Sequence, residues 1–464
     1  KRAGLEAVPG CLSGNSDLNQ DVSGKDYCYQ DSTSPPTTSS QPTQSPTQTC
    51  APTPVVSAMP TGPATYIPGE NTVNIEGLRL STGLQAKVIA TANQQVLLKD
   101  GQLSAETFHG KPDGAAVFAD ECGGGWTYVS NSERGGSTTY SGGVGAIYFN
   151  AANEVTGYKM IQKNTRRNCS GGRTWWGTWL TCEETSGGGV FEVHPKNNSP
   201  EIKRHTLIGR QNGRNGGNYE GVAYDNRDTN NPKFFLTEDS SNGPLERFSP
   251  SSQALTDAIS SGDYSNLLHD NSDNTAVTDY LVLDSLAGTF FWSQDIVAGR
   301  SSANSHFRNC EGIDVRNGQL YMTCKAEKLL FILDLDNLTY EESSTVSGAF
   351  NDQPDQIALL TGGANGDILY FCEDGISSTT SGAGIHARDA TGQGYTIAQD
   401  EDSVLSGETT GLAFSPDRKV MIFAFQSQGR IYKVWREDGR PFGGQTLDIR
   451  YHGSTHPNIF ASAR

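Results

Sequence analysis

Long apolar runs are missing from this sequence: no stretch approaches the roughly 20 consecutive apolar residues that a membrane-spanning helix needs. Positive charge is scarce as well. With 35 Lys+Arg against 52 Asp+Glu, the formal net charge is −17, which argues against nucleic acid as a partner and suits bound cations. Charged residues make up only 19% and hydrophobic ones 35%, and the Ala, Leu, Glu and Lys spacing of helical bundles is lacking. What is abundant is turn chemistry, 53 Gly and 20 Pro. The expectation is an all-β protein, long enough for one large domain plus an appendage.

Nine cysteines are present, an odd number, so at least one thiol stays unpaired, pairs between molecules or binds a metal. Sequons at Asn168, Asn197 and Asn337 mark candidate glycosylation sites of a secreted chain. The sequence opens on Lys1-Arg2 and a polar segment rather than a signal peptide, which reads as a mature, extracellular form, secreted or on the cell surface.

Composition divides the chain. Residues 1–31 hold Cys11 and Cys28 in a Gly/Asp/Asn-rich context, as in a small cystine-closed segment. From Ser32 to Thr49 fifteen of eighteen residues are Ser, Thr or Pro. Such a tract cannot bury enough apolar surface to offset its ordering entropy, so residues 32–80 read as a stalk or arm carrying glycans. Residues 81–464 have a globular pattern, interrupted by an insertion at 251–307 with helical turns.

Within the globular part a unit recurs: an acid-Gly or Thr-Gly pair opening an apolar strand, a turn, then a second apolar strand ending in acids. It is seen in Tyr219-Glu220-Gly221-Val222 leading to Leu236-Thr237-Glu238-Asp239, and in Cys310-Glu311-Gly312-Ile313 leading to Met322-Thr323-Cys324. Further copies run from Pro354-Asp355-Gln356-Ile357 to Cys372-Glu373-Asp374, and from Glu408-Thr409-Thr410-Gly411 to Phe423-Ala424-Phe425. With two less regular units, 114–149 and 174–193, the repeat predicts a six-bladed β-propeller carrying an extended N-terminal Ser/Thr/Pro-rich arm. In that geometry Glu220, Glu311 and Glu408 converge on one mouth of the central funnel. A ring of acids from different blades repels itself unless cations neutralise it. The three tryptophans Trp175, Trp176 and Trp179 read as packing between blades.

The residues also carry a family resemblance. Asn131-Ser132-Glu133, Arg167-Asn168-Cys169-Ser170-Gly171-Gly172 and Trp176-Gly177-Thr178-Trp179-Leu180-Thr181-Cys182-Glu183-Glu184-Thr185 resemble the PhoX family of secreted alkaline phosphatases. So do Glu220-Gly221-Val222-Ala223, Leu236-Thr237-Glu238-Asp239, Cys372-Glu373-Asp374-Gly375 and Gly407-Glu408-Thr409-Thr410-Gly411-Leu412-Ala413-Phe414. The motifs run in the family's order from about Gly110 to Arg436; residues 1–80 lie outside them. The resemblance implies a propeller with calcium and iron in its funnel and a phosphate ester as ligand. The thiolate ligand would be Cys182, and the carboxylates would be drawn from Glu133, Glu183, Glu220, Glu238, Glu311, Glu373 and Glu408. Hard cations take carboxylate oxygens and a soft thiolate suits a transition metal, so the set is chemically coherent.

The departures matter equally. The family's Asn-His-Glu is Asn131-Ser132-Glu133 here, its His-Glu is Tyr219-Glu220, and its arginine before the last motif falls on Leu405-Ser406-Gly407. Substitute cations are Arg134, Arg173, Arg214, Arg308 or Lys325, and spacing does not choose among them. Acids that bind metal are kept while groups that bind phosphate are partly missing. Together with the tail, this favours an extracellular structural subunit, a homo-polymer assembled into a fibre or coat by arms crossing to neighbouring copies. The alternative is an extracellular metal-dependent alkaline phosphatase; a carbohydrate- or matrix-binding module on a stalk is the third reading.

Overall fold

The computed structural model describes residues 76–442 other than 82, 121–123, 137, 212–213, 347–349, 351, 364–365, 375–382, 390–392 and 401–406, together with strands Asn19–Gln20, Asp26–Tyr27, Ile67–Pro68, Val73–Ile75 and Asp448–Thr455. The chain divides into two compact units, Lys1–Ala51 and Pro52–Arg464. In the first, the described part is an antiparallel pair, Asn19–Gln20 with Asp26–Tyr27. Cys11 and Cys28 of the expected cystine segment, and the Ser/Thr/Pro tract, lie outside the described residues.

The second unit is nearly all β, as expected. Its strands come in consecutive antiparallel meanders. Pro112–Ala119, Gly125–Ser132, Gly142–Asn150 and Val155–Thr165 form the first. Asn168–Arg173, Trp179–Gly188 and Val190–Val193 follow, then Gly217–Asp225, Lys233–Glu238, Glu246–Ser249 and Val277–Asp284. Cys310–Arg316, Gln319–Cys324, Leu329–Asp334 and Thr339–Ser344 make the next, and Gln353–Gly363, Gly366–Asp374, Gly384–Arg388 and Gln393–Asp400 the one after. The last meander, Thr409–Phe414, Val420–Phe425 and Arg430–Arg436, is completed by Leu84–Thr91 from the start of the unit.

The first strands of these meanders touch in a circle: Pro112–Ala119 meets Asn168–Arg173, which meets Gly217–Asp225, then Cys310–Arg316, Gln353–Gly363 and Thr409–Phe414, which returns to Pro112–Ala119. Glycine permits this close inner ring. A Cβ on Gly172 would stand 1.9 Å from the Val222 carbonyl oxygen, and one on Gly312 2.6 Å from that of Asp355. The pairing of Leu84–Thr91 with Arg430–Arg436 joins the two ends of the circle, a closure that leaves fewer free sheet edges.

The core lies between neighbouring meanders. Trp179 is buried beside Val129, Val144 and Ile161 and donates its indole N–H to Asn131 Oδ1 at 2.9 Å. Trp175 and Trp176 pack on Tyr224, Phe234 and Tyr264. All three tryptophans thus serve packing. The 251–307 insertion contains the expected helices, Ser252–Ser261 capped by the Ser251 hydroxyl and Ile296–His306 capped by Asp295, with strands Val277–Asp284 and Thr289–Ser293 between them. Near the N-terminal end of the unit, Val73–Ile75 pairs with Leu78–Leu80, which pairs with Gln393–Asp400 of the same chain. Among the described residues, no helix is long and apolar enough to cross a membrane.

Candidate metal centre

Antiparallel register places the start of each inner strand beside the end of the strand that follows it. Backbone N–H groups of Glu133, Glu184, Asp239, Lys325 and Gln426 bond to the carbonyls of Lys111, Arg167, Asn218, Asn309 and Glu408 respectively, and Asp374 faces Gln353 in the same way. Two residues further along the inner strands stand Asp113, Cys169, Glu220, Glu311, Asp355 and Thr410. Because strand side chains alternate with period two, these sets share one orientation, and they gather at one end of the ring.

Three groups of ligand atoms there lie within 4.8 Å of one another: Cys169, Glu184 and Glu220; Asp113, Glu133 and Glu408; and Glu220, Asp239 and Glu311. Burial, followed by the neighbouring negative charges, raises the carboxyl pKa of Asp113, Glu220 and Glu311 well above the ordinary range. Glu408 is raised in the same way, by burial and then by Asp374 and Asp113. Burial pushes Glu184 up to about 7 and Asp355 to about 8, against the pull of Arg167 and Lys325 respectively. The Cys169 thiol is likewise raised, by burial and then by Asp113 and Glu220.

Two cations enter this ring. Arg167 bonds Glu133 Oε1 through Nε at 2.8 Å and also engages Glu184. Lys325 Nζ lies 2.5 Å from Glu311 Oε1 and 2.8 Å from Asp239 Oδ2. Burial opposes the charge on Lys325, but Glu311, Asp239 and Asp374 outweigh it and hold the amine protonated. The Gln426 amide bridges Asp113 and Glu133 at 2.8 and 3.0 Å, and Lys111 anchors Gln426 at 2.8 Å. Glu220 is 1% exposed, yet its Oε2 has no hydrogen-bond partner. A buried carboxylate oxygen left without a donor is costly in water-free surroundings and fits a cation ligand.

Of the residues singled out in the sequence, Glu133, Glu220, Glu311 and Glu408 come together here. Four others stand elsewhere, three of them because of the pleat. Glu183, Glu238 and Glu373 each precede a ring residue by one position and so face the opposite way. Glu183 pairs with Arg166 at 3.1 Å, Glu238 with Arg300 at 3.4 Å, and Glu373 accepts from the Gly384 N–H and meets His386 Nε2, both at 3.0 Å. Cys182 sits in an apolar cluster with Leu180, Val190, Ile208 and Tyr219, where burial pushes its thiol up; the thiol among the acids is Cys169. Asp113, Cys169, Glu184, Asp239, Asp355 and Asp374 were missed, and the strand register is the signal that finds them.

Other expectations sort similarly. Arg308 is taken by Glu327, Arg134 is exposed, and the Arg214 side chain lies outside the described residues. Arg173 lines a cavity of about 680 Å³ at the other end of the inner strands, with Arg227, Arg316 and Arg418; this cavity is not where the acids converge. Asn168 is fully buried and bonded to Thr165 and Thr181, which leaves no room for a glycan. Asn337 is exposed on a turn and Asn197 is half-buried. Cys310 and Cys324 form a disulfide, while Cys169, Cys182 and Cys372 are free thiols.

A family model described as alkaline phosphatase PhoX matches residues 112–270. Among solved structures, Pseudomonas fluorescens PhoX in complex with vanadate, a transition state analogue, superposes with a TM-score of 0.56 at 14% identity, covering 82% of this chain and 100% of that one. An auxiliary nutrient binding protein from Bacteroides thetaiotaomicron gives a TM-score of 0.44 at 10% identity over 76% of each chain. No curated protein sequence matches. The resemblance read from the motifs therefore holds: over residues 112–270 the chain carries the pattern of the PhoX alkaline phosphatases, and its propeller part shares their fold.

Proposed function

We propose that the chain is an extracellular, metal-dependent phosphoric monoester hydrolase built on a six-bladed propeller, the reading carried as the alternative from sequence. The observation that supports it is the ring of buried acids and one thiol with the partnerless Glu220 Oε2. The self-assembling subunit has no support in the fold or the comparisons. The tract that suggested it lies outside the described residues, and the adjoining Leu78–Leu80 pairs within its own chain.

In this reading Asp113, Glu133 and Glu408 hold a hard cation such as calcium, and Cys169, Glu184 and Glu220 hold a transition metal such as iron. Cations bound there supply Lewis-acid polarisation of a phosphoryl group and offset its charge. The protein's own part is positioning. Gln426 and Gln356 fix Asp113 through 2.8 and 2.9 Å bonds. Arg167 commits Nε and Nη2 to Glu133 and Glu184, which leaves Nη1 for a phosphoryl oxygen, in place of the arginine lacking before Glu408.

The test is hydrolysis of an aryl phosphate at alkaline pH by protein supplied with calcium and ferric iron. Turnover should vanish on chelation, return when metal is restored, and fall by roughly 100-fold in Glu220→Gln, the scale of a disrupted metal shell. Inactivity under every metal condition would return the chain to its non-enzymatic readings.

A further inference from the structure

Lys325 stands where the repeat elsewhere puts an acid. Its register equivalents are Glu133, Glu184, Asp239 and Asp374, with Gln426 in the last meander. Its ammonium has three N–H donors, and three carboxylates meet it: Glu311 at 2.5 Å, Asp239 at 2.8 Å and Asp374 at 3.4 Å. Glu311 and Asp239 are two of the three members of the Glu220–Asp239–Glu311 group. The lysine therefore lies against the oxygens that a cation bound there would use.

The placement is built rather than incidental. Cys310 and Cys324 are joined by a disulfide, and Glu311 and Lys325 are their immediate neighbours in sequence. The covalent link holds the two backbones side by side, which keeps Glu311 and Lys325 on adjacent stretches of chain. Glu220, shared with the Cys169–Glu184 group, keeps its partnerless Oε2 for that neighbouring position.

We propose that Lys325 is a resident cation that fills the third acid group, so that the mouth takes metal ions in the Cys169 and Asp113 groups and none between Glu220, Asp239 and Glu311. This rests on the metal-centre reading above. The lysine sets how many metals the centre holds.

Metal content of the full chain, equilibrated with calcium and ferric iron and freed of excess, tests this by elemental analysis. Wild type should hold about two ions per chain, Lys325→Gln about three, the added one calcium, and Lys325→Arg about two. Unchanged content in a Lys325→Gln variant that still unfolds cooperatively would overturn the proposal. Should that variant fail to fold, wild-type crystals soaked in manganese decide. They should show no anomalous peak between Glu220, Asp239 and Glu311, and a peak there would overturn the proposal. Wild-type protein holding three ions removes the lysine's role but keeps the metal centre; protein holding none removes both.

Discussion

Individual acids in the ring are held in a protonation state that water would not give them. Glu184 is pushed up to about 7 and Asp355 to about 8, first by burial, from values near 4 in an unfolded chain. A carboxyl whose folded pKa is raised favours the folded state while protonated. Its contribution is complete below about pH 4 and is lost as pH rises through about 7 to 8. Metal-free protein should therefore show a falling Tm between about pH 4 and 8, and calcium should restore it at the upper end, because a cation binds the ionised acids. A Tm scan with and without chelator checks this; a metal-free Tm that is flat or rises with pH would contradict it.

At the scale of the element, the pleat decides which of two adjacent acids does chemistry. Glu184 points into the ring and Glu183 away from it, to Arg166. Glu184→Gln should lower metal content with little loss of stability. Glu183→Gln should leave metal content intact and cost about 3 kcal/mol, because it removes the carboxylate paired with a largely buried arginine. Denaturant unfolding and elemental analysis separate the two. This parity also marks the limit of what the sequence discloses. The repeated strands, the acids at their ends and the insertion's helices are visible in it, since local patterning sets them. Which member of Glu183-Glu184, Glu238-Asp239 or Glu373-Asp374 faces inward depends on register with another strand. The choice of Cys169 over Cys182 does too, and a string of residues alone does not fix that register.

The whole molecule depends on closure. Leu84–Thr91 completes the meander formed by residues 409–436, which ties an early strand of the unit to a late one by a row of ladder hydrogen bonds. Deleting residues 1–80 removes Leu78 and Leu80, both fully buried, and should cost about 4 kcal/mol while leaving a folded protein. Deleting residues 1–91 should abolish cooperative unfolding, as seen by circular dichroism. A 1–91 deletion that still unfolds cooperatively would mean that the circle is held by something other than this strand. The closed circle brings acids and one thiol from different meanders to a single mouth. Anomalous diffraction at the iron edge, from crystals loaded with ferric iron and calcium, tests that most directly. An iron peak is expected bonded to Cys169 Sγ beside Glu184 and Glu220; a peak at Cys182, or none at the ring of acids, would overturn this assignment.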